Sequence, residues 1–327
     1  MDRSPNLIGS SGDSLRESFG KELTKRGSVY PNMVVLDADI AGGTGAHHFR
    51  TAYPDRFIQC GIAEQNMMAM AGGLAATGLI PIVTTFAVFM LRSLEQARLS
   101  IAYADMNVKI VASHPGLDVG PDGASAQCLE DLACFRSIPN MVVLSPCDPF
   151  EMSSAVDAML NYNGPVYMRT GRSPTSRILD KHSIFEIGRG SILLDGSDVT
   201  IIACGVQVAR ALEAAKILSV SGISPLLINM SSIKPIDRDL IIKAAKRTGA
   251  VVTAEDHSII GGLGSAVAEV LVRETPVPME FVGTQDVFGE SGEPDELAIK
   301  YGLSPEAIVE AVQKVLQRKA QCYVAQK

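Results

Sequence analysis

Tryptophan is absent from this chain of 327 residues, and aromatic residues make up only 5% of it. Against so sparse a background the pair Phe86 and Phe89 stands out. Six cysteines are present (Cys60, Cys128, Cys134, Cys147, Cys204 and Cys322), but none falls in C-x-x-C spacing. That excludes the usual zinc and redox-dithiol patterns and leaves reduced, mostly buried thiols as the expectation. Blocks of one charge are missing too. The net charge of −7 is spread along the chain, which argues against a nucleic-acid footprint and against polybasic membrane attachment. Small molecules and other subunits remain as partners. The longest apolar run, Leu79 to Leu91, is broken by Pro81 and by Thr84-Thr85 and is too short to span a bilayer. Met1-Asp2-Arg3-Ser4-Pro5-Asn6 lacks the basic patch and apolar core of a secretion signal, so a cytoplasmic location is expected.

With 46% of its residues apolar, a chain of this length exceeds a single core and is expected to split in two. Strand-length apolar runs at Met33–Leu36, Arg56–Gln59, Pro81–Thr85, Val108–Ala112, Met141–Leu144 and Val166–Arg169 alternate with helical patterns. The predicted helices are Ser14–Arg26, Ala63–Thr77, Phe89–Ala104, Cys128–Phe135 and Pro149–Leu160. Such alternation predicts a mostly parallel sheet covered on both faces. A polar connection opens at Arg172 and carries a small hairpin at most; a second βα series then follows, with strands at Val199–Ala203, Pro225–Asn229, Ala250–Thr253 and Met279–Val282. The expected architecture is α/β with two doubly wound domains, residues 1–171 and 191–327, joined by a linker at 172–190.

One junction concentrates chemistry. Cys60-Gly61-Ile62-Ala63-Glu64-Gln65-Asn66 closes a strand and opens a helix, and Thr84-Thr85-Phe86-Ala87-Val88-Phe89 ends the next strand. Open α/β sheets collect ligands outside the carboxyl ends of their strands, so a carboxylate and an aromatic platform share one rim. Two plainer readings stand beside this. A first-turn glutamate is favoured by the helix dipole without any function, and the phenylalanines fit a strand buried on both faces.

These residues resemble the pyrimidine-binding domain of the transketolase family. The resemblance implies thiamine diphosphate as cofactor. Glu64 then matches the glutamate that favours the aminopyrimidine tautomer able to deprotonate the thiazolium. Phe89 matches the ring that stacks on the aminopyrimidine, Phe86 the ring beside it, and Asp39 a further cofactor contact. Glu255-Asp256-His257-Ser258-Ile259-Ile260-Gly261-Gly262-Leu263-Gly264 and Phe288-Gly289-Glu290-Ser291-Gly292-Glu293-Pro294 resemble the family's C-terminal domain. The glycines before Ser265 suit either an anion nest or close helix–sheet packing, with packing preferred. The family's Gly-Asp-Gly metal motif does not occur here; Gly120-Pro121-Asp122-Gly123 falls in the loop where the family places substrate contacts. Magnesium needs a near-octahedral set of oxygen ligands, and no metal ligands are expected on this chain. The resemblance therefore implies the C-terminal half of a split enzyme. A separate N-terminal subunit would hold the diphosphate and a Mg²⁺-type ion, in what is expected to be a heterotetramer.

For an anionic sugar tail the resemblance points to Arg16, His114 and Arg169, with Asp122 on a donor hydroxyl. Plainer roles are an exposed helix residue for Arg16, a satisfied loop histidine for His114 and a domain-interface ion pair for Arg169. Two positions depart from the family: Gly43 stands where a serine is usual, with Thr44 as its candidate replacement, and Ala126 stands where a histidine is usual. A buried hydroxyl left unpaired costs about 1–3 kcal/mol, so a changed substrate is expected. Arg92 resembles instead a phosphate-binding arginine of the related deoxyxylulose-phosphate synthases. His47 and His48 have no assigned role. Two-carbon ketol transfer between a charged ketose and an aldehyde is the leading expectation. Its alternatives are a decarboxylating synthase or keto-acid dehydrogenase β-type subunit, and a non-catalytic scaffold.

Overall fold

The computed structural model describes residues 11–180 and 183–325. The stretch Met1–Asn6 and the side chain of Cys322 lie outside what it describes. A seven-stranded sheet runs in the order Ser232–Lys234, Val142–Leu144, Val166–Thr170, Lys109–Ser113, Ile80–Phe86, Met33–Asp37, Phe57–Gln59. All its pairings are parallel except that of Ser232–Lys234. The strands Met33–Asp37, Lys109–Ser113 and Val166–Thr170 are buried at every position, as expected where helices cover both faces. A five-stranded sheet follows in the order Met279–Thr284, Val251–Ser258, Val199–Ala203, Pro225–Asn229, Ser191–Leu194. Only its edge strand Ser191–Leu194 is antiparallel. The expected α/β architecture of two parallel-sheet units is present. Among the described residues, no helix is long and apolar enough to cross a membrane.

Two local readings need correction, and one strand is added to those expected. Phe89–Ala104 is not one helix but a succession of short turns: Ala87–Met90, a 3₁₀ turn Leu91–Ser93, Leu94–Gln96 and a π-helical stretch Ala97–Tyr103. The Ser93 hydroxyl donates to the Met90 carbonyl at 2.9 Å, a local bond that competes with the helical ladder. Among the described residues the connection after Arg172 forms no hairpin with itself; its strand Pro174–Ser176 pairs with Ser11–Ser14. Finally, Ser232–Lys234 leaves the second series to complete the edge of the first sheet.

Register sets the rim. Asp37 lies level with Gln59 and Thr84, Phe86 with Ser113, and Ser113 with Thr170, so the strand ends and the loops after them share one edge. The helix Leu15–Arg26, capped by Ser14 and carrying Lys25 and Arg26 in its last turn, crosses the backbone at Gly45. Gly45 has φ +79°, and a Cβ there would lie 2.2 Å from the Arg16 carbonyl oxygen. Gly45→Ala is therefore expected to cost about 1–3 kcal/mol, read as a lowered denaturant midpoint at unchanged m-value.

Candidate active site

Glu64 is the first residue of the helix Glu64–Ala76 and is only 4% exposed. One of its carboxylate oxygens, Oε2, is buried without a hydrogen-bond donor, the nearest cation being Arg92 Nη1 at 3.6 Å. Arg92 itself is exposed, so water screens that pair and it does not satisfy the oxygen. Phe86 and Phe89 stack with centroids 5.5 Å apart and planes 10° from parallel. Both are half-buried and so present ring surface at the strand end. Asp39 is exposed, with its amide donating to Gln59 Oε1 at 3.0 Å; that oxygen also accepts from the Gly61 amide at 3.1 Å. The Gln59 side chain thus ties the Asp39 loop to the turn before Glu64.

Against Phe86 lies a cationic corner. Ser113 Oγ donates its single proton to the Gly43 carbonyl (3.1 Å), so the neighbouring His114 Nδ1, 2.9 Å away, must carry the hydrogen between them. The Nε2 lone pair of His114 then faces Arg16 Nη1 at 3.5 Å, and Arg16 also donates to Gly43 O at 3.2 Å. His114 is buried, stacked on Phe86 at 3.6 Å. Desolvation, then the charges of Arg16 and Arg172, push its pKa down to about 3. It is therefore neutral at working pH and makes no ion pair with Asp122, whose Oδ2 lies 3.9 Å away. Arg172 Nη2 approaches the other Asp122 oxygen at 3.6 Å. Burial, then the charge of Arg172, lowers the pKa of Arg16: two guanidinium groups converge where an anion would relieve them. A cleft of about 1130 Å³ runs from Arg16 and Arg172 towards Val206 and Glu306 in the second unit; Glu64, Phe86 and Phe89 lie outside it.

The depressed His114 pKa has a measurable sign. The native state binds fewer protons than the unfolded one below pH 6.5, so stability falls as pH drops from 6.5 towards 3. By pH 5 the loss is about 2 kcal/mol. His114→Asn, which tolerates the observed φ of +59°, is expected to remove that part of the acid sensitivity in denaturant unfolding at pH 7 and pH 5.

Two family profiles match the chain: "Transketolase, pyrimidine binding domain" over residues 12–176 and "Transketolase, C-terminal domain" over residues 188–308. The chain belongs to the transketolase family. It is 45% identical to a protein of Methanocaldococcus jannaschii named as a transketolase C-terminal section, over 93% of this chain and 97% of that one. It is 42% identical to a 6-deoxy-6-sulfo-D-fructose transketolase subunit of a Clostridium strain, over 93% and 95% respectively. A solved split-gene transketolase, described as an inactive beta4 tetramer, superposes with a TM-score of 0.87 at 48% identity, covering 94% of this chain and 99% of its own. This is a chain of the C-terminal, split-transketolase type, in a family whose cofactor is thiamine diphosphate.

Within this transketolase chain, Arg169 does not line the cleft that Arg16 and Arg172 share. It is buried, with Nε donating to Asp131 Oδ2 at 2.7 Å, Nη2 to Asp131 Oδ1, and Nη1 to the Asp256 carbonyl at 3.1 Å. Its ion pair is with Asp131 of the same unit, and its bond to the Asp256 carbonyl is what reaches the second unit, whereas Arg172 lines the cleft. The missed signal was Gly171: the strand ends at Thr170, so the first cation beyond the glycine is the one that clears the sheet. Thr44 does not replace the missing serine, since its hydroxyl donates to Ala41 O and accepts from Ala46 N inside its own turn. Gly43 instead makes room for Phe86, whose Cε1 would lie 2.6 Å from a Cβ at that position. Ala126 is buried and adds no polar atom, while its neighbour Gln127 donates to the Glu290 carbonyl at 2.9 Å. The glycine turn before Ser265 has its amides filled from within. Leu263 N and Gly264 N both donate to Glu255, so packing, not external anion binding, accounts for it.

Proposed function

We infer that this chain is the catalytic C-terminal subunit of a two-subunit transketolase, moving a two-carbon ketol unit from a ketose with an anionic tail to an aldehyde. The proposed division is residues 1–171 as pyrimidine-binding domain, 172–190 as linker and 191–327 as C-terminal domain. The observation that carries the reading is the unpaired, buried Oε2 of Glu64 in a chain that also presents the stacked, half-buried rings of Phe86 and Phe89 at a strand end. A buried acceptor without a donor costs about 1–3 kcal/mol, and an aminopyrimidine nitrogen carrying a proton would satisfy it. Thiamine diphosphate, when bound, supplies the carbanion-stabilising chemistry. The work of this chain is to hold the proton-bearing ring edge at Glu64, to stack its face on Phe89 with Phe86 alongside, and to flank it with Asp39.

The residues fit only half of the cofactor. Among the described residues the one cluster with metal-ligand spacing is Glu17, His47 and His48, whose two imidazoles do not suit magnesium. The diphosphate and its Mg²⁺ are accordingly assigned to an N-terminal partner subunit, in a heterotetramer working in the cytoplasm.

On the substrate side Arg16 and Arg172 take the anionic tail, neutral His114 offers its Nε2 lone pair to a substrate hydroxyl, and Asp122 takes a donor hydroxyl. Arg92 beside Glu64 is the remaining cation for substrate. The relative's name extends the tail from phosphate to sulfonate, and Gly43 gives the tail one hydroxyl fewer to meet. Arg172→Ala is expected to raise KM for a charged ketose about 10–100-fold, the loss of a charge-assisted bond worth about 1.5–3 kcal/mol, with little change for an uncharged ketose. The test of the whole reading is cofactor-dependent cleavage by the chain reconstituted with a diphosphate-domain subunit, on ketose phosphates and matched 6-deoxy-6-sulfo ketoses. Cleavage of none of them would overturn it. Carbon dioxide release from α-keto acids would replace it with the decarboxylating alternative.

A further inference from the structure

His47 and His48 open the helix His47–Ala52, facing Glu17 in the first turn of Leu15–Arg26. Each of the three residues offers one ligand atom, and these atoms all lie within 4.8 Å of one another. The two helices are locked backbone to backbone. A Cβ at Gly20 would lie 2.1 Å from the Gly45 carbonyl oxygen and 3.0 Å from His48 Cδ2, so neither can slide without opening that contact. His47 Nδ1 lies 3.4 Å from the Ala41 carbonyl. A proton shared there leaves Nε2 as a free lone pair, the carbonyl-anchored tautomer by which metal-ligating histidines are oriented. His48 Nε2 faces Glu17 Oε2 at 2.9 Å, and the two imidazole rings tilt together with centroids 4.0 Å apart. The Glu17–His48 pair explains itself as a half-exposed hydrogen bond, but it gives no reason for a second imidazole converging on the same point.

We propose that Glu17, His47 and His48 form a binding site for a divalent transition metal of the zinc class. Two imidazole nitrogens and a carboxylate oxygen are the donor set for such an ion. Three protein ligands leave a fourth position open, and the set is wrong for oxygen-seeking magnesium. The site adjoins the substrate corner, because Glu17 and its neighbour Arg16 both line the large cleft. It is separate from the magnesium assigned above to the partner subunit, and it stands whether or not the transketolase reading does.

The test is a titration of Co²⁺ into the tag-free full-length chain with magnesium in large excess, followed by visible absorption, with Zn²⁺ competition to confirm the class. One equivalent with intense, tetrahedral-type bands, displaced by Zn²⁺, is the expected result. His47→Ala and His48→Ala are each expected to weaken binding at least about tenfold. Glu17→Gln, which keeps a hydrogen-bonding oxygen for His48 and so guards against a mere folding defect, should weaken it as well. Failure to bind one equivalent under excess magnesium, or unchanged binding by the His47→Ala/His48→Ala double variant, would overturn the proposal.

Discussion

Glu64→Gln, reconstituted with a diphosphate-domain subunit and saturated with thiamine diphosphate, is expected to lose ketol transfer by about 10²–10⁴-fold, the range for a group that handles a proton in the reaction. The amide keeps the volume of the carboxyl group at a site only 4% exposed, so the fold and subunit assembly should survive. What changes is the acceptor: a carboxylate at the start of the helix Glu64–Ala76 becomes a neutral group whose N–H₂ can point the wrong way. Arg92→Ala, assayed at saturating ketose so that its proposed substrate contact does not enter, is the informative comparison. Its guanidinium lies 3.6 Å from Glu64 Oε2 on a side chain that is 64% exposed, and such pairs are worth about 0–1 kcal/mol. Its effect through Glu64 should stay below about fivefold. Parent-level turnover by Glu64→Gln would instead move the chemistry elsewhere or leave this chain a scaffold.

Asp131→Ala should be the most destabilising single change at the domain interface, by about 3–5 kcal/mol, because it strands a buried guanidinium. Asp131 accepts from Tyr167 and twice from Arg169, which in turn holds the Asp256 carbonyl. Burial alone would push the Asp131 pKa up; the charge and hydrogen bonds of Arg169 outweigh it and hold the pKa below its ordinary value of 3.8. A carboxylate with a depressed folded pKa contributes stability above its unfolded pKa and loses it as pH falls through the folded one. The penalty of Asp131→Ala should therefore be full at neutral pH and shrink only below about pH 4. Pairing it with Arg169→Met is expected to recover most of the loss, since an apolar pair of similar volume can replace a buried ion pair. Denaturant unfolding of parent, single and double variants at pH 7 checks the penalty and its recovery, and the same comparison at pH 3 checks the pH dependence.

How far the sequence carried depended on how local each cause was. Strands buried on both faces were legible because their apolar runs need no partner to be recognised: Met33–Leu36 was expected and Met33–Asp37 is present. The positions of Glu64 and Phe86 were legible in the same local way, and Glu64 does open the helix Glu64–Ala76 while Phe86 ends the strand Ile80–Phe86; their reading as a site, with Phe89, came from the family resemblance. The two arginines flanking Thr170-Gly171 were not separable in the same way. Which one turns inward is decided by the pleat and by Asp131, 38 residues earlier in the chain. Among the short turns replacing the helix after Phe89 a serine hydroxyl bonds backward, which apolar periodicity does not register, and the crossing of Ser232–Lys234 into the first sheet depends on an edge that only the folded first unit provides. Thr44 failed as a stand-in for serine for a related reason. A hydroxyl beside a glycine turn finds its own backbone before it finds a ligand.

The central claim is that this chain carries half of a thiamine-diphosphate site. Calorimetric titration of thiamine diphosphate with magnesium, into the chain alone and then into its mixture with the diphosphate-domain subunit, tests it most directly. Tight binding in the mixture with none to the chain alone is the predicted result. Equally tight binding to the chain alone would reveal a diphosphate site on this subunit, and absence of binding in the mixture would contradict the claim.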